Sequence, residues 1–248
     1  MNLTRVTYAE DPSIVKTIFQ DMKVPSWPEF MFHDPLANEL WHFLQVDFAE
    51  YQFVFRDESG KTIAVGHTLP FHWEGPLDDL PETGWDGIFR KVVDDYQAGR
   101  TPNMMTAIEA TILPAYRGSG LSKRVIGEMR TIAKARGFKT LVAPVRPSMK
   151  SRYPTTPIER YVSWKTDEGL PLDPWLRTHL RLGARIVKIA HESMRIPAPV
   201  ADWEKWTGMR FPESGEYIVP GALVPLCVDR ERDEGLYIEP NVWMEHGV

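Results

Sequence analysis

The sequence predicts an α/β or α+β domain, and two observations support this fold class. First, segments such as residues 121–136 carry apolar residues at every third or fourth position, which predicts amphipathic helices. Second, apolar runs rich in β-branched residues, such as MMTAIEATIL (104–113), predict strands, and they alternate with the helical segments. A length of 248 residues fits one large domain or two small ones.

Capping residues, glycines and changes of periodicity place each element along the chain. Asp11 followed by Pro12 begins one helix, and Asp173 followed by Pro174 begins another that stops at Gly183. The predicted elements, in chain order, are a strand (3–8), two helices (from residue 11, and 35–46), a hairpin turning at 58–60, a short helix within the long connection 74–102, a strand (104–113), a helix (121–136), a strand (140–145), a helix (173–183) and a strand (185–196).

Composition and charge exclude several classes of protein. A hydrophobic fraction of 43% allows a buried core, and a net charge of −5 without long Lys/Arg blocks argues against a nucleic-acid partner. No apolar run is long enough to cross a bilayer, and the N-terminus has no signal-peptide core. Cys227 is the only cysteine, which excludes an intrachain disulfide and suits a reducing cytoplasm. The histidines lack metal-ligand spacing, so we expect no metal.

The turn Arg117-Gly118-Ser119-Gly120 joins a predicted strand to a predicted helix. The first N–H groups of a helix are unpaired and favour anions, and glycine lets a ligand approach the backbone closely. An arginine beside them adds a charge-assisted contact, so the turn is a candidate phosphate site. A plain strand-to-helix loop is the alternative on spacing alone. No Gly-Lys-Ser/Thr follows as in a P-loop, and the turn lies too far along the chain for a Rossmann fingerprint.

The stretch ATILPAYRGSGLSKRVIGEMRTIAKARGF (110–138) resembles the acyl-CoA-binding core of the GNAT superfamily of N-acetyltransferases. The family pattern of apolar strand, Pro-x-x-Arg, Gly-x-Gly, amphipathic helix and Arg-Gly-Phe is matched, with Ser122 in place of the usual Gly or Ala. HLRLGARI (179–186) stands where the family has a second signature, with Ala184 in place of Phe. The predicted element order from residue 3 to about 196 also resembles that of the family.

The resemblance implies a mixed, mostly antiparallel central sheet with helices on both faces, splayed between its fourth and fifth strands. It also implies acetyl-CoA or another acyl-CoA as cosubstrate. The pyrophosphate is then expected on the backbone of the turn, and the pantetheine arm is expected to add like a strand to the backbone of the preceding residues. The implied cofactor-binding residues are Ile112, Leu113, Arg117, Gly118, Ser119, Gly120, Leu121 and Ser122.

Two residues are candidates for the acid–base chemistry of acyl transfer. Glu109 is the only carboxylate in the strand 104–113, and we consider it the base, with a solvated strand residue as the alternative. His179 stands four residues before Gly183, where family members often carry a tyrosine that protonates the departing thiolate. The resemblance implies that His179 replaces that tyrosine as the acid.

Two aromatic segments are expected to form one wall of the acceptor site, the loop 24–35 and the insert 74–102. They predict a small amine acceptor, aromatic or apolar in part. The function is then acyl transfer from acyl-CoA to an amine, and a non-catalytic acyl-CoA sensor is the alternative. We expect residues 1–196 to form the acyl-CoA-binding domain and 197–248 an extension packed on it. The oligomeric state stays open, a homodimer included.

Overall fold

A computed structural model describes residues 2–23 and 26–248, and within them the chain forms one nine-stranded sheet. Val24 and Pro25, at the start of the predicted aromatic loop, lie outside the described residues. The strands are β1 (Thr4–Thr7), β2 (Gln52–Arg56), β3 (Thr62–Phe71), β4 (Met104–Ile112), β5 (Thr140–Val145), β6 (Arg185–Ala198), β7 (Gly215–Tyr217), β8 (Leu226–Asp229) and β9 (Glu234–Gly247).

The described helices fall where the sequence predicts them, with two additions. They are α1 (Ile14–Lys23), α2 (Pro35–Gln45), α3 (Gly84–Gln97), α4 (Leu121–Ala135), α5 (Ile158–Ser163), α6 (Pro174–Arg181) and α7 (Val200–Thr207). The two additions are the short α5, within the proline-rich residues 147–171, and the short α7, within the last fifty residues. The sequence predicts no helix in either segment. The carboxylates of Asp34 and Asp173 cap α2 and α6 by accepting backbone N–H bonds, and each is followed by proline. None of these helices is both long and apolar enough to cross a membrane.

Neighbouring strands from β1 to β4 run antiparallel, and β4 then pairs with β5 in parallel. The β4–β5 ladder contains only Met105↔Leu141 and Thr106↔Val142, although β4 continues to Ile112. The two strands therefore separate after their first few residues. This confirms the splay between the fourth and fifth strands and the mostly antiparallel sheet.

A β-bulge in β4 determines which side chains face the same side of the sheet. On β3, His67 pairs with Glu109 and the following residue, Thr68, pairs with Ala107. Ile108 of β4 is therefore the extra residue of the bulge. Successive strand residues point to opposite faces, so Glu109 shares its face with His67 and not with Ala107. The bulge thus turns Glu109 toward the face that carries His67.

Helices cover both faces of the sheet. On one face Leu176 of α6 packs against Ala143 and Met244. On the other, Trp243 of β9 donates a hydrogen bond from its indole to the carbonyl of Pro81, just before α3. Since Trp243 and Met244 are adjacent in one strand, α6 and the insert around α3 lie on opposite sides of the sheet.

The last strand lies in the interior of the sheet. β9 pairs with β5 along one edge and with β6 along the other, so it is a central strand and not part of a peripheral extension. Residues 199–233 between them add α7, β7 and β8 at the far end of β9. A boundary at residue 196 therefore divides the sheet, because the strand that links β5 to β6 comes last in the sequence.

Candidate active site

The glycine turn leads directly into α4 with the geometry that the sequence predicts. Gly118 and Gly120 have φ of 80° and 82°, a conformation that favours glycine, and Gly120 immediately precedes the helix. A Cβ at either position would meet open space, so close contact with the protein does not explain the choice of glycine. The turn, Arg117 included, is exposed, and α4 begins directly after it at Leu121.

Ile112 and Leu113 lie where β4 borders the splay. On one side the backbone N–H of Leu113 donates to the carbonyl of Ile63, which continues the ladder with β3. On the other side the ladder with β5 has ended at Thr106. The described arrangement leaves this stretch of β4 with an edge that an extended ligand can use.

Glu109 lies within a hydrogen-bonded chain. Its Oε2 atom lies 2.8 Å from Nδ1 of His67, and its Oε1 atom accepts a 2.6 Å bond from the hydroxyl of Thr111. Burial raises the pKa of the Glu109 carboxyl, but the bonds and charge of His67, with Thr111 and Trp27, outweigh burial and hold it below its usual value. Glu109 is therefore an ionised carboxylate on the face that the bulge selects.

The chain continues behind Glu109 to a buried tyrosine. The other ring nitrogen of His67, Nε2, lies 2.8 Å from the hydroxyl oxygen of Tyr8, which follows β1. Tyr8 and His67 are 2% and 3% exposed, whereas the side chain of Glu109 is 18% exposed. Glu109 is thus the end of the chain nearest to solvent. Sequence reasoning missed His67 and Tyr8, because residues 59 positions apart become neighbours only when the sheet forms.

The two aromatic segments both reach β4. Trp27, from the loop, donates its indole N–H to the Thr111 hydroxyl at 3.0 Å. Trp85, from the insert, donates to the backbone carbonyl of Ile108 at 2.8 Å. Trp41 of α2 packs against both Trp85 and His67. The described part of the loop and the insert therefore meet beside Glu109, as expected for one wall of an acceptor site.

Across the splay, Arg146 follows β5 directly. Its Nε lies 2.9 Å from both carboxylate oxygens of the fully buried Glu239, and its guanidinium stands over the Trp27 ring at 5.7 Å. Trp27 thus contacts groups from both separated strands. The sequence held one signal for Arg146, a charge at the end of the apolar run TLVAPV, whereas Glu239 lay in the segment that the resemblance did not cover.

Two more buried carboxyl groups lie near Glu239. A side-chain hydrogen bond joins Asp34 and Asp86, which requires a proton on one of the two carboxyls. Burial, followed by the charge of Asp34, raises the pKa of Asp86 to about 8, and burial also raises the pKa of Asp34. Like charges this close share a proton, so the pair carries less than its full charge at neutral pH. The sequence analysis did not identify this acidic cluster (Asp34, Asp86 and Glu239).

His179 lies elsewhere. It is buried in the last turn of α6, with Nδ1 2.8 Å from Nε2 of His246 on β9. His246 pairs with Leu141, and Leu141 pairs with Met105 at the start of β4. These three residues share one face of the sheet, and Glu109 lies on the opposite face. Burial lowers the pKa of His179 to about 3, so it is neutral. The structure therefore does not bring His179 together with Glu109, and its predicted role as the acid stays untested.

Comparison with known proteins gives one relative of similar length. No family model matches the chain. The arginine N-acetyltransferase avaD of Aspergillus versicolor is 36% identical over 271 residues, which covers 98% of this chain and 93% of that protein. The segments that the sequence resemblance did not cover, including β9 with Glu239, lie within this range.

Two solved structures share the architecture over nearly the whole chain. The loading GNATL domain of CurA from Lyngbya majuscula superposes with a TM-score of 0.61 at 18% identity, covering 99% of this chain and 96% of that one. The GphF GNAT-like decarboxylase in complex with isobutyryl-CoA gives a TM-score of 0.55 at 17% identity, covering 100% and 99%. At this identity the likeness concerns the fold.

Proposed function

The chain belongs to the GNAT superfamily of N-acetyltransferases and transfers an acyl group to an amine, and from this premise we propose that its acceptor is arginine or a small molecule containing arginine. The observation that carries the proposal is the 36% identity to an arginine N-acetyltransferase over 98% of the chain. The relative spans the wall, the splay and β9, so the comparison includes the acceptor side as well as the CoA turn.

The proposed donor is acetyl-CoA, and the turn supports it. Two glycines at positive φ, open space around them and the first N–H groups of α4 suit a pyrophosphate. The edge of β4 near Ile112 borders the splay and suits a pantetheine arm, which would replace the 3.4 Å bond from Nε of Arg117 to the Ile112 carbonyl. The remaining implied contacts are those of Leu113 and of Arg117 to Ser122. The single cysteine and a CoA cosubstrate suit a reducing cytoplasm, where we place the reaction.

The proposed base is Glu109, because it is an ionised carboxylate, partly exposed, at the point where both aromatic segments meet β4. The acceptor binds as an ammonium, and one of its protons passes to the Glu109 carboxylate. The neutral nitrogen then attacks the thioester carbonyl, and the C–S bond breaks as the C–N bond forms. After the attack the nitrogen loses a second proton. Of the two protons that the ammonium gives up, one ends on the sulfur of the departing thiol and the other reaches solvent.

A cationic acceptor carries one group for recognition and another for reaction. A guanidinium stays protonated at every working pH, whereas an α-amine has a reference pKa near 8 and yields a neutral nucleophile. The guanidinium is therefore the recognition group and the amine is the nucleophile. Asp34 and Asp86 share a proton and Glu239 pairs with Arg146, so these buried carboxyls add little net charge. The likeness to the arginine N-acetyltransferase is what shifts our expectation from an apolar acceptor to a cationic one.

The test is acetylation of matched acceptors, followed by thiol release and by mass spectrometry of the product. We compare arginine with citrulline, which replaces the guanidinium by an uncharged urea of nearly the same shape, and with tryptamine as the aromatic alternative. The proposal expects arginine to give the highest kcat/KM, with citrulline at least tenfold lower, since a lost charged contact costs about 1.5–3 kcal/mol. Equal rates for arginine and citrulline, or a preference for tryptamine, would contradict it.

A further inference from the structure

We propose that His67, itself held by Tyr8, is the positioning residue that keeps Glu109 ionised and aimed at the acceptor amine. This inference rests on the proposed role of Glu109 as the base. It adds two residues that neither the resemblance nor the comparisons assign.

The direction of the hydrogen bond between His67 and Glu109 follows from the charge of Glu109. An ionised carboxylate only accepts hydrogen bonds, so Nδ1 of His67 carries a proton and donates it to Oε2 at 2.8 Å. The other ring nitrogen, Nε2, lies 2.8 Å from the hydroxyl oxygen of Tyr8, which accepts a hydrogen bond from Nε2–H or donates its own proton to the Nε2 lone pair. Burial raises the pKa of Tyr8 above its usual value, so the phenol keeps its proton and can make either bond.

The surroundings leave the ring little freedom. Trp41 of α2 packs edge-on against His67 at 5.2 Å between ring centroids, and Tyr8 does so at 5.6 Å. Around Glu109, the facing groups in the described chain are His67 on β3, Thr111 on β4 itself and Trp27 from the loop, with Tyr8 beyond His67. The nearest further charge is Arg146, whose guanidinium stands over the Trp27 ring at 5.7 Å.

Burial explains why Glu109 is the outermost member of the hydrogen-bonded series Tyr8–His67–Glu109. Tyr8 and His67 are buried, so neither meets the acceptor, and the partly exposed carboxylate is the member that solvent and substrate can reach. The bulge at Ile108 is what places Glu109 opposite His67. In a regular ladder Ile108 would pair with His67, and Glu109 would pair with Gly66 on the other face of the sheet.

The test compares pH profiles of kcat/KM from pH 5 to 9 for the wild type, His67→Leu and His67→Asn. Loss of the donor leaves a buried carboxylate with fewer bonds, which raises the Glu109 pKa. The wild type should show no acid limb from Glu109 in this range, because the Glu109 pKa is held below its usual value. In His67→Leu the higher Glu109 pKa should produce an acid limb within the measured pH range. In His67→Asn the side-chain amide takes the place of Nδ1–H, so the limb should shift back toward lower pH.

Three further measurements separate positioning from folding. Thermal melts show whether each variant is folded, and His42→Asn, on the exposed side of α2, is the matched histidine control. Tyr8→Phe keeps the aromatic ring but removes the hydroxyl that bonds to Nε2 of His67. We therefore expect the acid limb to shift in the same direction as in His67→Leu, by a smaller amount. A folded His67→Leu variant with lower kcat and an unmoved limb would overturn the proposal, as would identical limbs for His67→Leu and His67→Asn.

The profile is measured with any amine that the wild type acetylates. If arginine is not the acceptor, the proposed acceptor fails and this test still runs on another amine. If Glu109→Gln keeps full activity, the premise itself fails before His67 is considered.

Discussion

The indole N–H of Trp27 donates a 3.0 Å hydrogen bond to the hydroxyl of Thr111, which itself donates to Glu109. A residue of the loop before α2 is therefore one side chain away from the proposed base. Since Arg146 stands over the same indole, Trp27 also links the two sides of the splay.

For Trp27 we expect Trp27→Ala to raise the KM for the acceptor more than the KM for acetyl-CoA. An aromatic contact of this kind is worth about 0.5–1.5 kcal/mol, which corresponds to roughly a 2- to 12-fold change. Steady-state kinetics with each substrate varied in turn measures the difference. Trp164→Ala is the control, because Trp164 packs against Tyr153 and Tyr161 in the separate cluster around Leu176. An equal rise in both KM values would place Trp27 outside the acceptor site.

The CoA turn predicts a ligand-dependent melting temperature. At a concentration of 100 Kd, acetyl-CoA should stabilise the protein by about 2.7 kcal/mol and raise the Tm by about 5–10 °C. Arg117→Ala combined with Gly120→Val should abolish the rise, because valine cannot readily adopt the φ of 82° and the charge is lost. Gly127→Ala, in the middle of α4 with open space around it, should leave the rise intact. If acetyl-CoA raised the Tm of the folded double variant as much as that of the wild type, the motif would be a structural turn that does not bind the ligand.

Glu109→Gln should lower kcat by about 10²- to 10⁴-fold, the usual contribution of a general base. The deficit should shrink as the pH rises, because more of the amine is then neutral without help. Acetyl-CoA affinity, measured by the same melting shift, should not change. Glu50→Gln, which removes an exposed carboxylate paired with Arg136, is the control and should retain wild-type kcat. A loss below threefold for Glu109→Gln would leave substrate positioning as the source of the rate.

The His179–His246 pair predicts acid sensitivity. Burial lowers the pKa values to about 3 and about 4, so both rings are neutral in the folded protein while unfolded histidine binds a proton near pH 6.5. The unfolded state then binds more protons below pH 6.5, and stability falls as the pH falls toward 4. The cost is about 2 kcal/mol per imidazole at pH 5. Arg130, the charged group that faces His246, acts in the same direction.

Urea unfolding at pH 7 and pH 5 measures this dependence in the wild type, His179→Leu and the exposed-site variant His42→Asn. We expect the loss between the two pH values to be smaller in His179→Leu and unchanged in His42→Asn. The same His179 variant should keep kcat within about threefold, since the ring lies on the face opposite Glu109. A drop of 10² or more would restore His179 as the proton donor to the thiolate.

The family resemblance implied the splayed sheet, and the local elements and the glycine turn could be predicted from the sequence itself. These depend on near neighbours: the glycines at 118 and 120, the cap-proline pairs and the 3.6-residue stripe of α4 act over a few residues, and so they can be recognised in one dimension. Glu109 was also identifiable, as a lone carboxylate in an apolar strand.

The tertiary structure alone decided what surrounds that carboxylate. The bulge at Ile108 sets its face, β3 brings His67, the end of β1 brings Tyr8, and the last strand brings Glu239 to Arg146 from 93 residues away. It also placed His179 on the opposite face, although its spacing from Gly183 suggested the site. Side-chain direction in a sheet reverses with every residue and with every bulge, so contacts between distant segments depend on a register that forms only when the strands pair.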